Sequence, residues 1–403
     1  PTLEAIIQDP LQFQQTLGDL THYSLIKRQT QHGLLSLHRL TQLVIKALMP
    51  EETFRLWATR TIQALATCGD SLPEEQIWSQ YQPYFLHAQT SMHYISSLQL
   101  VSPDAASVLY HMGRYLHEHG QYEYVAKLYE QALQIWQQAL GPAHLQLSFP
   151  LNYLGALYRA QGEYSQAEVW YLQCLHIREQ ALGEDHPLTA RVLNNLGNVY
   201  LTQGRYAHAK PLYLRCLHIH EHASDTDYLQ LSFPLQNLGV LHEEQGDYTQ
   251  AEAYFQRCLS IREQVLGPHH PYLAYPLNSL GSLYLEPGKY EQAEPVLTRC
   301  LTILEQAFSS QHPELGFPLV NLGILYTIQG EYKKAEQQYR RCLHIYEHAF
   351  GAHHPQLAYP ISGLARLAQE QGKEDEAEAL YQRALSLREK KLGKKHLLTA
   401  KTY

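Results

Sequence analysis

The sequence predicts an all-α protein, a right-handed α-solenoid of seven helix-pair repeats, preceded by a small α/β segment and a helical linker. The first observation is that glycine, tyrosine and alanine recur at intervals of 42 residues from about residue 105 onward. The second is that each interval contains two segments whose apolar residues have the three- and four-residue spacing of a helix face. The third is the length of 403 residues, which suits several domains or one repeat array better than a single core.

Four columns of residues keep one register when the chain is aligned on itself with a shift of 42. One glycine column consists of Gly113, Gly155, Gly197, Gly239, Gly281 and Gly323. A second column is glycine in all seven copies: Gly120, Gly162, Gly204, Gly246, Gly288, Gly330 and Gly372. Tyrosine follows this second glycine by two residues, and alanine follows it by five, in six copies each. The columns define seven tandem repeats, numbered one (with Gly113) to seven (with Gly372).

Each repeat is predicted to contain a first and a second helix. In repeat two, Gly162 ends the first helix in a conformation that other residues disfavour. Gly155 lies inside that helix, where glycine costs about 1 kcal/mol relative to alanine. We interpret it as a point of close approach to the second helix at Ala167. Because such pairs cannot bury their apolar faces alone, stacking must supply the core.

The cysteines follow the same period. Five of the six are spaced by 42 residues, namely Cys174, Cys216, Cys258, Cys300 and Cys342. Equivalent positions in a stack of helix pairs lie too far apart for disulfides. We interpret these cysteines as small buried residues of a reduced protein that pack the second helix against the following repeat.

Composition excludes several classes of function. Lys and Arg total 31 against 39 Asp and Glu, a net charge of −8 that is spread along the chain, which argues against nucleic acid as a partner. No apolar run approaches the 18 or so residues that span a bilayer, and no secretory signal is evident. We therefore expect a cytoplasmic protein without membrane contact.

Residues 1–105 lack the repeat and contain a predicted hairpin. A strand within 21–28 is followed by a polar turn and a second strand over 34–38. An amphipathic helix is predicted from Arg39 to about Met49, and Pro50 opens another helix that carries Phe54 and Trp57. We divide the chain into the hairpin segment at 1–50, a helical linker at 51–104, and the repeats at 105–403, including the start of an eighth.

The repeats resemble a known family. The residues that carry the resemblance are Asn195, Leu196, Gly197, Tyr200, Gly204, Tyr206, Ala209, Tyr213 and Cys216. Their spacing is similar to that of the tetratricopeptide repeat. The Leu-Gly-x-x-His-Pro connection between repeats looks like the 42-residue version found in kinesin light chains and many bacterial proteins. The resemblance implies a solenoid whose first helices line a concave groove that binds a protein or peptide.

Residues 1–50 resemble the winged-helix end of signal-transducing NTPases of the NB-ARC (STAND) type. Leu37-His38-Arg39 stands where that family has Met-His-Asp, so the resemblance implies that His38 senses the nucleotide state. Arg39 departs from the family's aspartate, and the chain has no Gly-x-x-x-x-Gly-Lys-[Ser/Thr] loop. We therefore expect no cofactor here, with nucleotide involved only if an upstream NTPase domain exists for this chain to contact. The alternative is a hairpin that merely caps the solenoid.

Polar side chains on the first helices are the candidate partner-binding residues. The predicted set is Asn152, Arg159, Arg191, Asn194, Asn195, Asn198, Gln236, Asn237, Asn278 and Asn321. Side-chain amides donate and accept hydrogen bonds, so they can pair with an extended peptide backbone. The alternative is that some of these amides only tie adjacent helices together.

Arg191 interrupts an aromatic column at the start of the first helices. The other members are Phe149, Phe233, Tyr275, Phe317 and Tyr359. Because proline follows each of these aromatic residues, we interpret them as packing residues, with exposed binding pockets as the alternative. Arg191 is expected to bind a ligand carboxylate.

No motif points to a metal or an enzyme. The 24 histidines include no set of four convergent ligands with cysteine nearby. The column that contains His186 is interpreted as hydrogen bonding at helix starts. The glutamate column that contains Glu179 is interpreted as a solvated face or an inter-repeat pairing. Two hypotheses remain: the sensor arm of a STAND-type signalling NTPase, and a stand-alone peptide-binding adaptor.

Overall fold

The computed structural model describes residues 26–29, 34–37, 47–71, 84–119, 121, 124–223, 227–286 and 288–392. His38 and the predicted start of an eighth repeat lie outside these described residues, as does most of the segment 1–50. The chain divides into two compact units, residues 1–150 (unit one) and 151–403 (unit two). The domain boundaries predicted at residues 50 and 104 stay predictions.

The first elements form the predicted hairpin and the helices after it. Strands β1 (Ile26–Gln29) and β2 (Leu34–Leu37) pair antiparallel, with Ile26 opposite Leu37. Helix α1 (Glu51–Asp70) begins directly after Pro50, as predicted, and α2 is Phe85–Ser97.

Fourteen further helices within the described residues form the seven predicted pairs. They are α3 (Pro103–Glu118) and α4 (Val125–Leu140), α5 (Ser148–Ala160) and α6 (Tyr164–Leu182), α7 (Pro187–Thr202) and α8 (Tyr206–His222), α9 (Tyr228–Glu244) and α10 (Tyr248–Leu266), α11 (Ala274–Leu285) and α12 (Tyr290–Ala307), α13 (Gly316–Ile328) and α14 (Tyr332–Phe350), and α15 (Ala358–Glu370) and α16 (Glu374–Leu392). The predicted fold class is confirmed. None of the helices in the described part combines the length and hydropathy required of a membrane span.

The boundaries of the helices follow from residues that recur in the repeat. His186 accepts a hydrogen bond at Nδ1 from the Leu188 amide and caps the start of α7, as its column was predicted to do. His270, His312 and His354 make the same bond two residues ahead. At the turn inside each pair of repeats two to seven, the second glycine column has a positive φ, +82° at Gly162, which a residue with a side chain rarely adopts. The histidine cap and the turn glycine therefore determine where a helix pair begins and where it turns.

The interior glycine column makes room for a ring of the second helix. A Cβ atom at Gly155 would lie 2.7 Å from the ring of Tyr171, and one at Gly323 would lie 2.5 Å from that of Tyr339. The predicted close approach is therefore present, but its nearest atoms belong to the ring of Tyr171 and not to Ala167. In repeats one to four and six, the cost of glycine in the first helix is offset by burial of a ring of the second helix, and in repeat five Leu297 takes the place of the ring.

The cysteine column is buried, as predicted, and forms no disulfide. The thiols of Cys258, Cys300 and Cys342 donate to carbonyls of the first helix in their own repeat. The predicted packing against the following repeat is present as well, since Cys300 belongs to one buried cluster with Leu315 and Leu319 of the next repeat. Burial raises the pKa of Cys258 to about 11 and that of Cys300 to about 12, so both stay protonated at neutral pH.

Candidate protein-binding face

The first helices of unit two form a row. Each of α7, α9, α11 and α13 contacts the next first helix along the chain, whereas consecutive second helices make fewer such contacts. In a stack of pairs, the elements that lie closer together are on the inner side. We call the accessible side chains of α7, α9, α11, α13 and α15 the inner face.

The predicted amides bridge neighbouring first helices. The bonds run between positions 43 residues apart: Asn195 Nδ2 to Asn152 Oδ1 (3.1 Å), Asn237 Nδ2 to Asn194 Oδ1 (2.9 Å), Gln236 Nε2 to Ser279 Oγ (2.9 Å) and Asn321 Nδ2 to Asn278 Oδ1 (3.0 Å). The alternative role, tying helices together, is therefore present at every one of these amides. Asn152 is buried, and the others are partly accessible.

The three remaining polar candidates, Asn198, Arg159 and Arg191, lie in different surroundings. Asn198 accepts a hydrogen bond at Oδ1 from the Tyr213 hydroxyl (2.7 Å), so it positions the buried ring that packs on Gly197. Arg159 is exposed. Burial raises the pKa of Tyr171 to about 12, while the neighbouring Arg159 opposes this shift. Arg191 is half-buried on α7.

The aromatic column is exposed in the middle of unit two. Phe233 is 38 % exposed, Tyr275 51 % and Phe317 45 %. The prolines that follow them are buried, which means that the packing role predicted for the aromatic residues belongs to the prolines. The interpretation of these three aromatics as packing residues was wrong. We call Phe233, Tyr275 and Phe317 the aromatic row.

A cavity of about 240 Å³ opens between repeats three and four. Its lining consists of Arg191, Asn194, Asn195, Cys216, His220, Gln230, Phe233 and Pro234. Three of the predicted candidates, Arg191, Asn194 and Asn195, therefore meet in one cavity. The structure adds Gln230, Phe233 and His220 to them.

The interior of this junction differs from that of the two flanking junctions, each of which contains a buried arginine. In repeat two, Arg178 Nη1 donates to the carbonyl of Leu188 at the start of α7 (2.6 Å). In repeat four, Arg262 Nη1 donates in the same way to the carbonyl of Tyr272 (2.7 Å). The equivalent residue of repeat three is His220, whose shorter side chain leaves space beside Gln230. Burial lowers the pKa of His220, although the nearby Asp227 opposes this shift.

The connection after α8 also departs from the repeat. Residues 223–227 read Ala-Ser-Asp-Thr-Asp, without the glycine and His-Pro that end repeats two, four and six. Asp227 replaces the capping histidine and accepts a hydrogen bond from the Leu229 amide (3.0 Å). Gln230 and His220 were not among the predicted binding residues. The signal that points to them in the sequence is the departure of this junction from the other repeats.

The second helices carry a ladder of ion pairs on the opposite, outer face. Each bond joins an arginine to a glutamate of the preceding repeat: Arg215–Glu179, Arg257–Glu221, Arg299–Glu263, Arg341–Glu305 and Arg383–Glu347. Inter-repeat pairing, one of the two interpretations of the glutamate column, is confirmed. In the part of the chain that is described, no three His, Cys, Asp or Glu residues are grouped as metal ligands.

Sequence comparisons match most of the chain to one repeat family. Residues 104–180, 151–222, 231–306, 288–348, 314–390 and 356–403 match the tetratricopeptide repeat. Residues 2–54 match a domain of unknown function, DUF7779. No curated protein matches the chain.

Three solved structures show the same fold. The apo form of the quorum sensor NprR from B. thuringiensis is 14 % identical with a TM-score of 0.63, covering 86 % of this chain and 91 % of that chain. The apo form of RapI is 14 % identical with a TM-score of 0.58, covering 72 % and 99 %. The Rap conjugation gene regulator of plasmid pLS20, in complex with the Phr* peptide, is 15 % identical with a TM-score of 0.53, covering 72 % and 76 %.

Proposed function

This chain belongs to the tetratricopeptide repeat family, and we propose that it binds an extended polypeptide along the inner face of unit two without catalysing a reaction. The observation that carries the proposal is the aromatic row. Phe233, Tyr275 and Phe317 are large apolar side chains that remain substantially exposed at equivalent positions of consecutive repeats. Exposed aromatic residues are the side chains that most often dominate binding energy at protein interfaces.

The surroundings of the aromatic row favour a polypeptide partner. The amides that bridge neighbouring first helices, among them Gln236, Asn237 and Asn321, run beside the aromatic row. A side-chain amide that makes one hydrogen bond to a neighbour keeps further donor and acceptor capacity. An extended backbone presents donors and acceptors at regular intervals and can use that capacity. The net charge of −8 disfavours nucleic acid. The pLS20 Rap protein, which shares the fold, was solved with a bound peptide, and this agrees with the proposal.

The test compares the two faces of unit two. Peptides are selected from a random display library on the purified protein, and their affinities are measured by fluorescence anisotropy. The triple variant Phe233→Ala, Tyr275→Ala, Phe317→Ala is expected to lose at least about 100-fold in affinity, since each interfacial ring contributes roughly 1–2 kcal/mol. Because these rings are exposed, the helical circular dichroism signal should stay unchanged.

The matched control replaces three exposed apolar residues of the outer face. Val169, Leu172 and Leu214 are 51 %, 45 % and 41 % exposed on second helices. Their triple alanine variant should retain the affinity of the parent protein. Equal losses in the two triple variants, or selected peptides that bind both variants normally, would show that the inner face is not the site.

A second candidate function is the sensor arm of a STAND-type signalling NTPase. Its support is the hairpin of Ile26–Gln29 and Leu34–Leu37, which precedes the helices as the resemblance to a winged-helix segment implies. If the native gene encodes a phosphate-binding loop upstream, a selected peptide should change the rate at which the complete protein releases ADP. A rate unaffected at saturating peptide favours the stand-alone adaptor.

A further inference from the structure

A second cavity lies where the first helices of repeats five, six and seven end. Its volume of about 460 Å³ falls within the roughly 300–1,000 Å³ of ligand pockets. Glu286 directly follows α11, and Ile328 and Glu370 are the last residues of α13 and α15. All three line the cavity, together with Tyr290 and Tyr332, the first residues of α12 and α14. We call it the turn-edge cavity.

The repeat column that contains Ile328 is glutamate in the repeats on either side of it. In repeat four the glutamate of this column, Glu244, accepts a hydrogen bond from the Tyr206 hydroxyl of the preceding repeat (3.4 Å). In repeat six the equivalent position is Ile328, so it offers no acceptor to the Tyr290 hydroxyl of repeat five. At this junction an apolar wall of the turn-edge cavity therefore stands in place of a bond between repeats.

The charge of the lining favours a cation. Its charged residues are Glu286, Glu370 and Arg366, two carboxylates and one guanidinium, which give a net charge of −1. In the ranges that the structure describes, neither carboxylate makes an ion pair or a hydrogen bond. By contrast, every glutamate of the ladder on the outer face is paired with an arginine. One monovalent cation would neutralise the turn-edge cavity.

The uncharged part of the lining suits the stem of a basic side chain. Ile324 and Ile328, one turn apart on α13, are half-buried and apolar. The half-buried rings of Tyr290 and Tyr332 belong to the same lining, and an aromatic ring attracts a cation over its face. Lysine and arginine combine an apolar stem with a charged head, so they match both parts of the cavity. A purely apolar side chain would leave the carboxylates without a partner.

The turn-edge cavity belongs to the inner face. Helix α13 carries Phe317 of the aromatic row near its start and reaches the cavity at Ile328, roughly 16 Å further along its axis. An extended polypeptide covers this distance with about five residues. We propose that the turn-edge cavity binds one lysine or arginine side chain of the partner polypeptide, about five residues from the side chain that contacts Phe317. This inference rests on the proposed function of the inner face.

The first experiment removes charge from both sides of the contact. Peptides selected on the protein are expected to share a lysine or an arginine, and a neutral analogue replaces it by norleucine or citrulline. The analogue should lose at least about 10-fold in affinity for the parent protein, and less than about 2-fold for the variant Glu286→Gln, Glu370→Gln. Selected peptides without a shared basic residue, or an equal loss on both proteins, would overturn the inference.

The matched control removes the same charge outside the cavity. Glu291 and Glu374 are exposed at the starts of α12 and α16, and neither lines the turn-edge cavity. The variant Glu291→Gln, Glu374→Gln should therefore discriminate the basic peptide from its neutral analogue as strongly as the parent protein does. If this control loses the preference as well, general attraction by the acidic protein explains it, and the cavity is not the site.

The second experiment tests the sign of the charge that the cavity accepts. Arg366→Gln removes the guanidinium of the lining and changes its net charge from −1 to −2. The basic peptide should then bind about 3-fold more tightly, because a like charge no longer repels it, and the neutral analogue should bind as before. A residue that only stabilised the fold would not raise the affinity when removed. Weaker binding of the basic peptide would mean that Arg366 holds an anionic group of the partner, and the assignment to a cation would be wrong.

The third experiment supplies the cation from the protein itself. Ile324 is half-buried, and its column carries arginine in repeats one and seven, so Ile324→Arg should fold and retain its helical circular dichroism. The basic peptide and its neutral analogue should then bind equally. Val240→Arg makes the same change in the same column, two repeats earlier and outside the lining, and should keep the preference. A preference that survives Ile324→Arg, or that both variants lose, would contradict the proposal.

The outcomes separate the two proposals. If alanine replacement of the aromatic row abolishes binding but Glu286→Gln, Glu370→Gln leaves the preference for the basic peptide intact, the cavity proposal fails alone. If binding does not depend on the aromatic row, the proposed function fails. Competition by spermidine at millimolar concentration, with no loss for the neutral analogue, would show that the cavity is a site for free amines and overturn the assignment to a side chain.

Discussion

The junction between repeats three and four differs from the junctions on either side of it. At the flanking junctions, the guanidinium groups of Arg178 and Arg262 are buried and hold the first turn of the next repeat through its backbone carbonyl. At the middle junction His220 makes no such bond that the structure records, and a cavity takes the space. We call the flanking junctions closed and the middle junction open.

The open junction is nevertheless bridged on both faces. On the inner face Asn237 donates to Asn194, and on the outer face Arg257 pairs with Glu221 at 2.6 Å. Both bonds have counterparts at neighbouring junctions, so the stack continues through the opening. The open junction therefore keeps the bonds at its two surfaces and lacks the interior arginine bond of the flanking junctions.

The largest expected effect is the loss of an interior arginine at a closed junction. Arg262 is 3 % exposed and donates from Nη1 to the Tyr272 carbonyl and from Nε to Ser232 Oγ (3.0 Å). Arg262→Ala would remove the charged donor from the buried Ser232 hydroxyl and from the partly buried Tyr272 carbonyl, which is expected to cost about 3 kcal/mol in the free energy of unfolding. Urea titration followed by circular dichroism measures the loss, and hydrogen exchange should locate it in α9, α10 and α11.

The matched variant at the open junction is His220→Ala. Because His220 lines a cavity instead of holding the next repeat, its replacement should cost only about 1 kcal/mol. The difference between the two variants measures how much interior bonding the open junction has given up. Equal losses would mean that His220 stabilises its junction as strongly as Arg262 does, and the distinction between open and closed junctions would not hold.

The columns of the sequence were sufficient for the fold. Glycine at the turn, histidine at the helix start and an apolar face of helical period determine where each hairpin begins and ends, and all three act within one repeat. Local rules therefore locate the helices, as Gly162 and His186 show. The partner of Gly155 was misjudged because a ring on the second helix reaches across from Tyr171, and the reach of a side chain is not visible in residue spacing.

The candidate site was predicted only in part, for a related reason. Periodicity shows which residues share a column. The distance between repeats decides whether the side chains of that column contact the neighbouring repeat or solvent. The amides of Asn194 and Asn237, on first helices of two consecutive repeats, lie within hydrogen-bonding distance at 2.9 Å. Phe233 is exposed because Pro234, one residue later, takes the buried position. These distances are properties of the packed stack.

The smallest expected effect concerns the outer bridge of the open junction. Arg257 and Glu221 are about half and one third exposed, so their pairing should contribute only about 0.5 kcal/mol, as measured by a double-mutant cycle of Arg257→Gln and Glu221→Gln. The coupling should approach zero in 1 M NaCl, where screening reduces the range of exposed charges to roughly 3 Å. The matched pair Arg299–Glu263 crosses a closed junction with similar exposure and should give the same value. A coupling for Arg257–Glu221 that is several times larger would mean that the outer face compensates for the missing interior arginine, because the junction then depends more on each surface bond.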